Sequence, residues 1–391
     1  MDLTRRRQVS WISIAVLALP ALALYGYSLR HPGIKGKDDR LIPIIEKPAA
    51  TSPSSPWKMQ ESGTTAGLRG IYSVDGKVVW ASGTGGTVLR TVDGGEHWTK
   101  CAVPDAATDG ATLDFRGVQA WDATTAIVMA SGPGEKSRLY KTSDGCGSWT
   151  LLFKNPDSPE GFFDCIWMHP SGAGILLGDP VQNKFVVFET EDGGKTWHRN
   201  TWKGLSTGAK PLAAFAASNS LFSQFRNGYM RGFVTGGPGG AYLVQAWSTE
   251  KWKKIGIPIA SGTTSSGVFS LGYRFTRPRC ADCVHSTDQF FIAAGGDYTK
   301  PNDSDGTAAY SLDGGYHWQA ADKMPHGYRS AVQWGEDLKA WITVGTNGSD
   351  IDRDDGKTWQ PLDDGNWNAL SLPFVVGPNG RIARLALIPA K

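Results

Sequence analysis

The octapeptide TVDGGEHW (91–98) returns as TSDGCGSW (142–149), TEDGGKTW (190–197), SLDGGYHW (311–318) and, eroded, as DRDDGKTW (352–359). A chain that repeats one turn this often is confined to architectures built from one supersecondary unit. β-Formers lead into each Asp-Gly step, which is a hairpin signal. The aspartates are Asp93, Asp144, Asp192, Asp313 and Asp354, and the terminal tryptophans are Trp98, Trp149, Trp197, Trp318 and Trp359.

Two short apolar runs precede each box. The first opens with a polar residue, as in LRGIYSV (68) and FRGVQAW (115); the second ends in glycine, as in VVWASG (78–83). The same pair stands without a clean box at 218–237, and it recurs at 265–296 and 328–345. A further copy, WNALSL (367) with FVVG (374–377) and GRIARLAL (380–387), lacks its last strand, whereas PWKMQ (56–60) matches the short segment that closes each box and runs on from its tryptophan. With Trp57 and Trp252 included, seven box-position tryptophans are spaced by 41, 51, 48, 55, 66 and 41 residues. Units of this length with several short strands predict an all-β fold: a seven-bladed β-propeller of four-stranded antiparallel blades over 56–391. Its last blade is closed by an N-terminal strand, which removes the open sheet edge at the join. Six blades is the alternative if the 218–252 unit is an insertion.

A composition of 49 Gly and 16 Trp with 20% charged residues agrees with many turns and sheets. Net charge is +3, but the first forty residues hold seven Lys/Arg against three acids, so the body is near neutral. Nucleic-acid binding, which needs a clustered basic surface, is not expected.

Residues 1–29 read as an export signal: RRR (5–7), then the uncharged apolar run 11–27 with ALA (21–23) as a small-x-small cleavage site. The run is also long enough, at the lower limit, for an uncleaved anchor, and both readings stand. Residues 30–55, rich in Pro, Ser and charge, read as a linker. The expected location is exported, periplasmic or otherwise extracytoplasmic, with a membrane tether if the anchor is retained.

Five cysteines leave several pairings open. Cys280 and Cys283 can close a local disulfide inside the insertion 273–288; zinc is disfavoured because only His285 lies nearby. Cys101 and Cys146 can pair between neighbouring repeats, and Cys165 reads as buried and free. The run DIDRDDG (350–356) suggests a calcium loop, but its glycine falls one place late and Pro361 stands where a glutamate is needed. No phosphate loop, dinucleotide fingerprint or other cofactor motif is present, so no cofactor and no metal are expected.

The boxes resemble those of the Asp-box, or BNR-repeat, propellers known from sialidases and other glycosidases, where the box is a structural turn on the face opposite the active site. LRGIYSVDGKVVWASGTGGTVLRTVDGGEHW (68–98) and the terminal WNALSL with GPNGRIARL are most similar to the photosystem II stability/assembly-factor-like branch, a resemblance that covers residues 56–387. It implies a non-enzymatic protein that binds and helps assemble a partner.

If boxes mark one face, the starts of the first strands mark the other. The polar position of each first strand gives a ring at the channel mouth: Arg69, Arg116, Asp164, Asn219, Ser266, Arg329 and Asn368. Arginine forks suit carboxylate or phosphate; mutual salt bridges are the bland reading. Asp179 and Asp297, which follow second-strand glycines, and Tyr328 are expected on the same face. The leading expectation is therefore a monomeric, non-catalytic propeller with a protein partner at the cell envelope or a membrane. The alternative is a sialidase-like glycoside hydrolase or a lectin that takes an anionic or glycan ligand at the arginine-lined mouth, with Tyr328 and Asp164 as conceivable participants. The long insertion 273–288, with three arginines and a CxxC, is a second candidate docking surface.

Overall fold

In the computed structural model the described residues are 55–225, 230–246, 250–275 and 289–386. The export or anchor segment 1–29, nearly all of the linker, the pair Cys280/Cys283 and most of the 273–288 insertion lie outside them.

Seven separate four-stranded antiparallel sheets make up the fold, and helix is limited to two single 3₁₀ turns among the described residues. Blade 1 shows the unit: Leu68–Ser73, Val79–Gly83, Val88–Thr91 and Thr99–Lys100, in that order from the inside outwards. The 218–252 unit is a blade of its own, with strands Phe222–Phe225, Met230–Val234, Tyr242–Ala246 and Trp252–Gly256, which excludes the six-blade alternative. Blade 7 takes Ala369–Ser371, Phe374–Val376 and Ile382–Leu385 from the C-terminal end and Trp57–Gln60 from the N-terminal end. Trp57 pairs with Leu385 and Gln60 with Ile382, antiparallel.

Apolar residues from adjacent blades interlock all the way round. Leu68, Val79, Ala81 and Leu89 of blade 1 meet Phe374, Val376 and Ile382 of blade 7, and Ile292 and Ala294 of blade 5 meet Val332 and Trp341 of blade 6. Each sheet is therefore covered on both faces. That is why strands such as Ala126–Ala130 are uniformly buried rather than alternating. Each fully buried large apolar side chain stabilises by roughly 1.5–3 kcal/mol, so the ring depends on every blade having two neighbours.

The boxes are the turns between third and fourth strands, and their aspartates are spent locally. In the first, Thr91 Oγ1 donates to Asp93 Oδ1 at 2.7 Å, while Asp93 Oδ1 accepts the His97 amide at 3.0 Å. Gly94 and Gly95 sit at φ of +76° and +88°, where a side chain would strain the backbone. The same hydroxyl-to-carboxylate bond recurs at Asp144 (2.8 Å), Asp192 (2.9 Å) and Asp313 (2.8 Å). Asp354 accepts the Thr358 amide at 2.8 Å, which identifies the eroded copy as a fifth box rather than a cation loop. These bonds favour the ionised form, and they hold the Asp93 and Asp192 carboxyls well below the ordinary range.

Some box-position tryptophans hydrogen-bond across to a neighbouring blade, whereas Trp197 and Trp318 bond within their own boxes. Trp98 Nε1 donates to Gln60 Oε1 at 3.1 Å, so the first box grips the closing strand, and Trp149 Nε1 donates to the Ala102 carbonyl at 2.8 Å. Beside the latter contact Cys101 and Cys146 form a disulfide between blades 1 and 2. Cys165 is unpaired and buried.

Candidate functional site at the channel mouth

Alternating strand directions put the starts of the first strands on the face opposite the boxes. There the backbone carries a repeated irregularity. The pairing of first with second strand slips at Arg69, at Arg116 and at Asp164, leaving each as the extra residue of a β-bulge. A bulge re-aims the side chain, and all three line one cavity of about 580 Å3 together with Asn368 of blade 7.

Blades 5 and 6 depart from the expected register. In blade 5 the bulge falls at Phe269, not at Ser266, and it is Phe269 that lines the cavity. Ser266 is buried and its Oγ accepts from the Thr263 amide and hydroxyl at 3.1 and 2.8 Å, which ties down a loop. In blade 6 Ser330, one residue after Arg329, borders the cavity. A slip of one residue sends a side chain to the other face of a sheet, and Arg329 is accordingly fully buried within blade 6. Its Nε donates to Asp350 Oδ2 at 2.7 Å and its Nη1 to Asn347 Oδ1 at 2.6 Å, while His326 Nδ1 lies 2.8 Å from Asp350 Oδ1. Arg329 is thus a core ion-pair residue.

Four further residues complete the expected set. Asn219, at φ +58°, turns into blade 3, where its Oδ1 accepts the Ile166 amide at 2.8 Å and its Nδ2 donates to the Ile166 carbonyl at 3.1 Å. Asp297 caps its own turn by accepting the Thr299 amide and hydroxyl at 3.0 and 2.6 Å, and it does not line the cavity. Asp179 and Tyr328 do line it.

The cavity has a cationic side. Arg116 Nε donates to Asp114 Oδ2 at 2.8 Å; Arg69 Nε lies 3.5 Å from the same oxygen and makes no hydrogen bond among the described residues. One carboxylate therefore serves two guanidinium groups. Burial and, next, the neighbouring Arg116 charge lower the Arg69 pKa from its ordinary value, as expected of a cation that lacks a full counter-charge.

Beside the arginines lie two acids, Asp164 buried and Asp179 half-buried. Asp164 is 1% exposed, and its Oδ2 has no hydrogen-bond partner among the described residues. Burial, reinforced by Asp179, pushes its carboxyl well above the usual range against the opposing pull of Arg116. Asp179 Oδ1 accepts the Ala214 amide at 3.1 Å, and burial outweighs that bond to push its carboxyl up to about 6.

The third side is aromatic. Phe215 and Phe269 stack with centroids 4.0 Å apart, and Tyr328 meets Phe269 edge-on at 4.9 Å. Burial pushes the Tyr328 phenol upwards, opposite to what a nucleophile requires.

Asp114, Phe215, Phe269, Tyr298 and Ser330 escaped the sequence reading. Asp114 stands two residues before Arg116 in LDFRGV, where an acid preceding a bulged arginine is a usable signal. Phe215 belongs to AAFAA (213–217), a crossing segment outside the repeat. A larger cleft of about 730 Å3 lies at the rim of blade 3, but its Arg199 is already paired with Asp157.

Comparison with known proteins gives no matching family model. The chain is 23% identical over 348 residues to the photosystem II assembly lipoprotein Ycf48 of Synechococcus sp. (strain CC9902), covering 85% of this chain and 89% of the relative. Among solved structures, YCF48 bound to D1 peptide matches with a TM-score of 0.56 and 18% identity over 86% of this chain and 99% of that one. YCF48 from Cyanidioschyzon merolae matches with a TM-score of 0.56 and 18% identity over 84% and 98%. Along almost the whole propeller, then, the chain is similar to photosystem II assembly factors, the branch its motifs resemble.

Proposed function

We propose that this protein is a non-catalytic, exported propeller that binds a protein partner at the channel mouth and acts as an assembly or stability factor for an envelope or membrane complex. The observation that carries this reading is the pair Arg69 and Arg116, which share the single carboxylate of Asp114 in a concave, aromatic-walled cavity. Arg116 spends Nε on Asp114 and Nη1 on the Ala216 carbonyl at 3.4 Å, and the guanidinium donors left over on the two arginines, held on a rigid scaffold, are suited to carboxylate groups of a polypeptide. The box aspartates are engaged in their own turns and offer no rival site. The likeness to Ycf48, one structure of which is bound to D1 peptide, supports a polypeptide ligand.

The test is capture of partners from native membranes by the wild type and by an Arg69→Gln/Arg116→Gln variant. The variant should lose the captured partner, with at least a roughly tenfold weaker interaction, while its melting temperature stays within a few degrees. Turnover of aryl-glycosides by the wild type, abolished in the variant, would instead establish the hydrolase.

A further inference from the structure

We infer that Asp164 is a specificity-determining residue of the mouth: it binds as a neutral carboxylic acid and donates a hydrogen bond to the same ligand carboxylate that Arg69 and Arg116 hold. This rests on the proposed role of the mouth and adds the protonation state in which the site is competent.

The geometry that points there is a polar group with nothing to do. Asp164 is the bulged residue of blade 3, sits at the cavity wall and is 1% exposed, yet its carboxyl makes no hydrogen bond among the described residues. A buried, unpartnered carboxylate is costly, and the ordinary escape is to stay protonated. In that form the group offers one O–H donor, whereas the ionised form accepts only.

Its charged surroundings come from several elements. Arg116 projects from blade 2 and Arg69 from blade 1, with Asp114 between them. Asp179 comes from the second strand of blade 3, Tyr298 lines the cavity after the second strand of blade 5, and Tyr328 lines it from the segment before blade 6. Cys165 follows Asp164 in the chain, and burial raises its thiol to about 12, so it remains neutral. A ligand carboxylate entering this ring meets two cations on one side and two acids on the other. Were both acids ionised, they would repel it; with Asp164 protonated, the repulsion becomes a charge-assisted O–H···O⁻ bond. A cationic ligand group reverses every term: it would prefer both acids ionised and would face two arginines. Binding of a carboxylate therefore retains or takes up a proton, whereas binding of an ammonium group releases one.

The probe is a fluorescein-labelled, end-blocked peptide, Phe-Glu-Phe-Glu-Phe, which presents side-chain carboxylates and rings for the aromatic wall. The same peptide with Gln for Glu is the control. Anisotropy titrations from pH 5.5 to 8.5 should show the Glu peptide binding and the affinity falling as pH rises, by at most about tenfold per unit for one proton. Calorimetry at pH 7 in two buffers of different ionisation enthalpy should show retention or uptake of the proton, that is, a count of zero or above and no release. Asp164→Ala should weaken binding at pH 5.5 by about tenfold or more, whereas Asp164→Asn, which keeps a donor, should stay within about threefold of wild type. Asp164→Asn/Asp179→Asn should bind with no pH dependence in this range. Should the alanine variant not fold, the asparagine variants and the proton count carry the test. Affinity that rises with pH, proton release, or wild-type binding by Asp164→Ala overturns the inference, as does failure of the wild type to bind the Glu peptide. If these results go against Asp164 while Arg69→Gln/Arg116→Gln still loses the partner, only this inference falls. If the arginine variant keeps its partner, the functional reading falls with it.

Discussion

Asp352 occupies the box position that Thr91, Thr142, Thr190 and Ser311 fill in the other copies. Those hydroxyls donate to the box aspartate two residues on. A carboxyl can make that bond only while protonated, and burial together with the side-chain hydrogen bond to Asp354 pushes Asp352 up to about 8. The folded state thus holds a proton that the unfolded chain releases near its ordinary value of about 4. Stability from this group is full below that value and is lost as pH rises towards 8. Asp352→Thr should therefore be nearly neutral at pH 4.5 and stabilising by roughly 1–3 kcal/mol at pH 8, read as melting temperature against pH. Parallel pH profiles for the two proteins would rule this account out. Single residues are also where sequence reading reaches its limit. Arg69, Arg116, Asp164 and Asn368 are legible at the mouth because each directly precedes its apolar run, whereas Arg329 reads as a mouth residue although Ser330 occupies the position. A polar residue before an apolar run marks the position only to within a residue, and one residue decides between cavity and core.

At the scale of strands, the outer edges of blades 1, 3 and 5 are only two residues long: Thr99–Lys100, His198–Arg199 and Gln319–Ala320. Short, exposed, polar edges give a neighbouring molecule little to pair with. Between blades 1 and 2 the chain adds a covalent tie, since Cys101 and Cys146 are 45 residues apart and bonded. A loop of that length corresponds to about 4 kcal/mol of lost unfolded-state entropy. Reduction, or Cys101→Ser, should lower the melting temperature measurably without changing ligand binding at the mouth, because the tie joins the box ends of its blades. A melting curve indifferent to reductant would show that the tie adds no stability. Strand order and turn positions are readable throughout, because the glycines and tryptophans that set them are demanded by backbone and packing. The aromatic wall is not, because Phe215 lies on a crossing segment that obeys no repeat.

For the whole molecule the decisive element is the strand Trp57–Gln60. It pairs with Ile382–Leu385, buries Trp57 against Trp367 with ring centroids 6.1 Å apart, and is held from the other side by Trp98. Removing residues 1–61 should leave all seven inner strands in place but expose the edge of Ile382–Leu385. The expected outcome is a lower melting temperature and concentration-dependent association, checked by calorimetry and light scattering; a monomer as stable as the full chain would contradict closure from the N-terminus. The same pairing has a consequence in time. Blades 1 to 6 contain only locally contiguous chain and can form as they emerge, but the closing strand is made first and its partner last. At roughly 5–20 residues per second of synthesis, Trp57–Gln60 must wait on the order of a quarter to one minute before Ile382–Leu385 exists. A chain that stops before Leu385 never engages it, so the completed ring is itself a record of synthesis through the last blade.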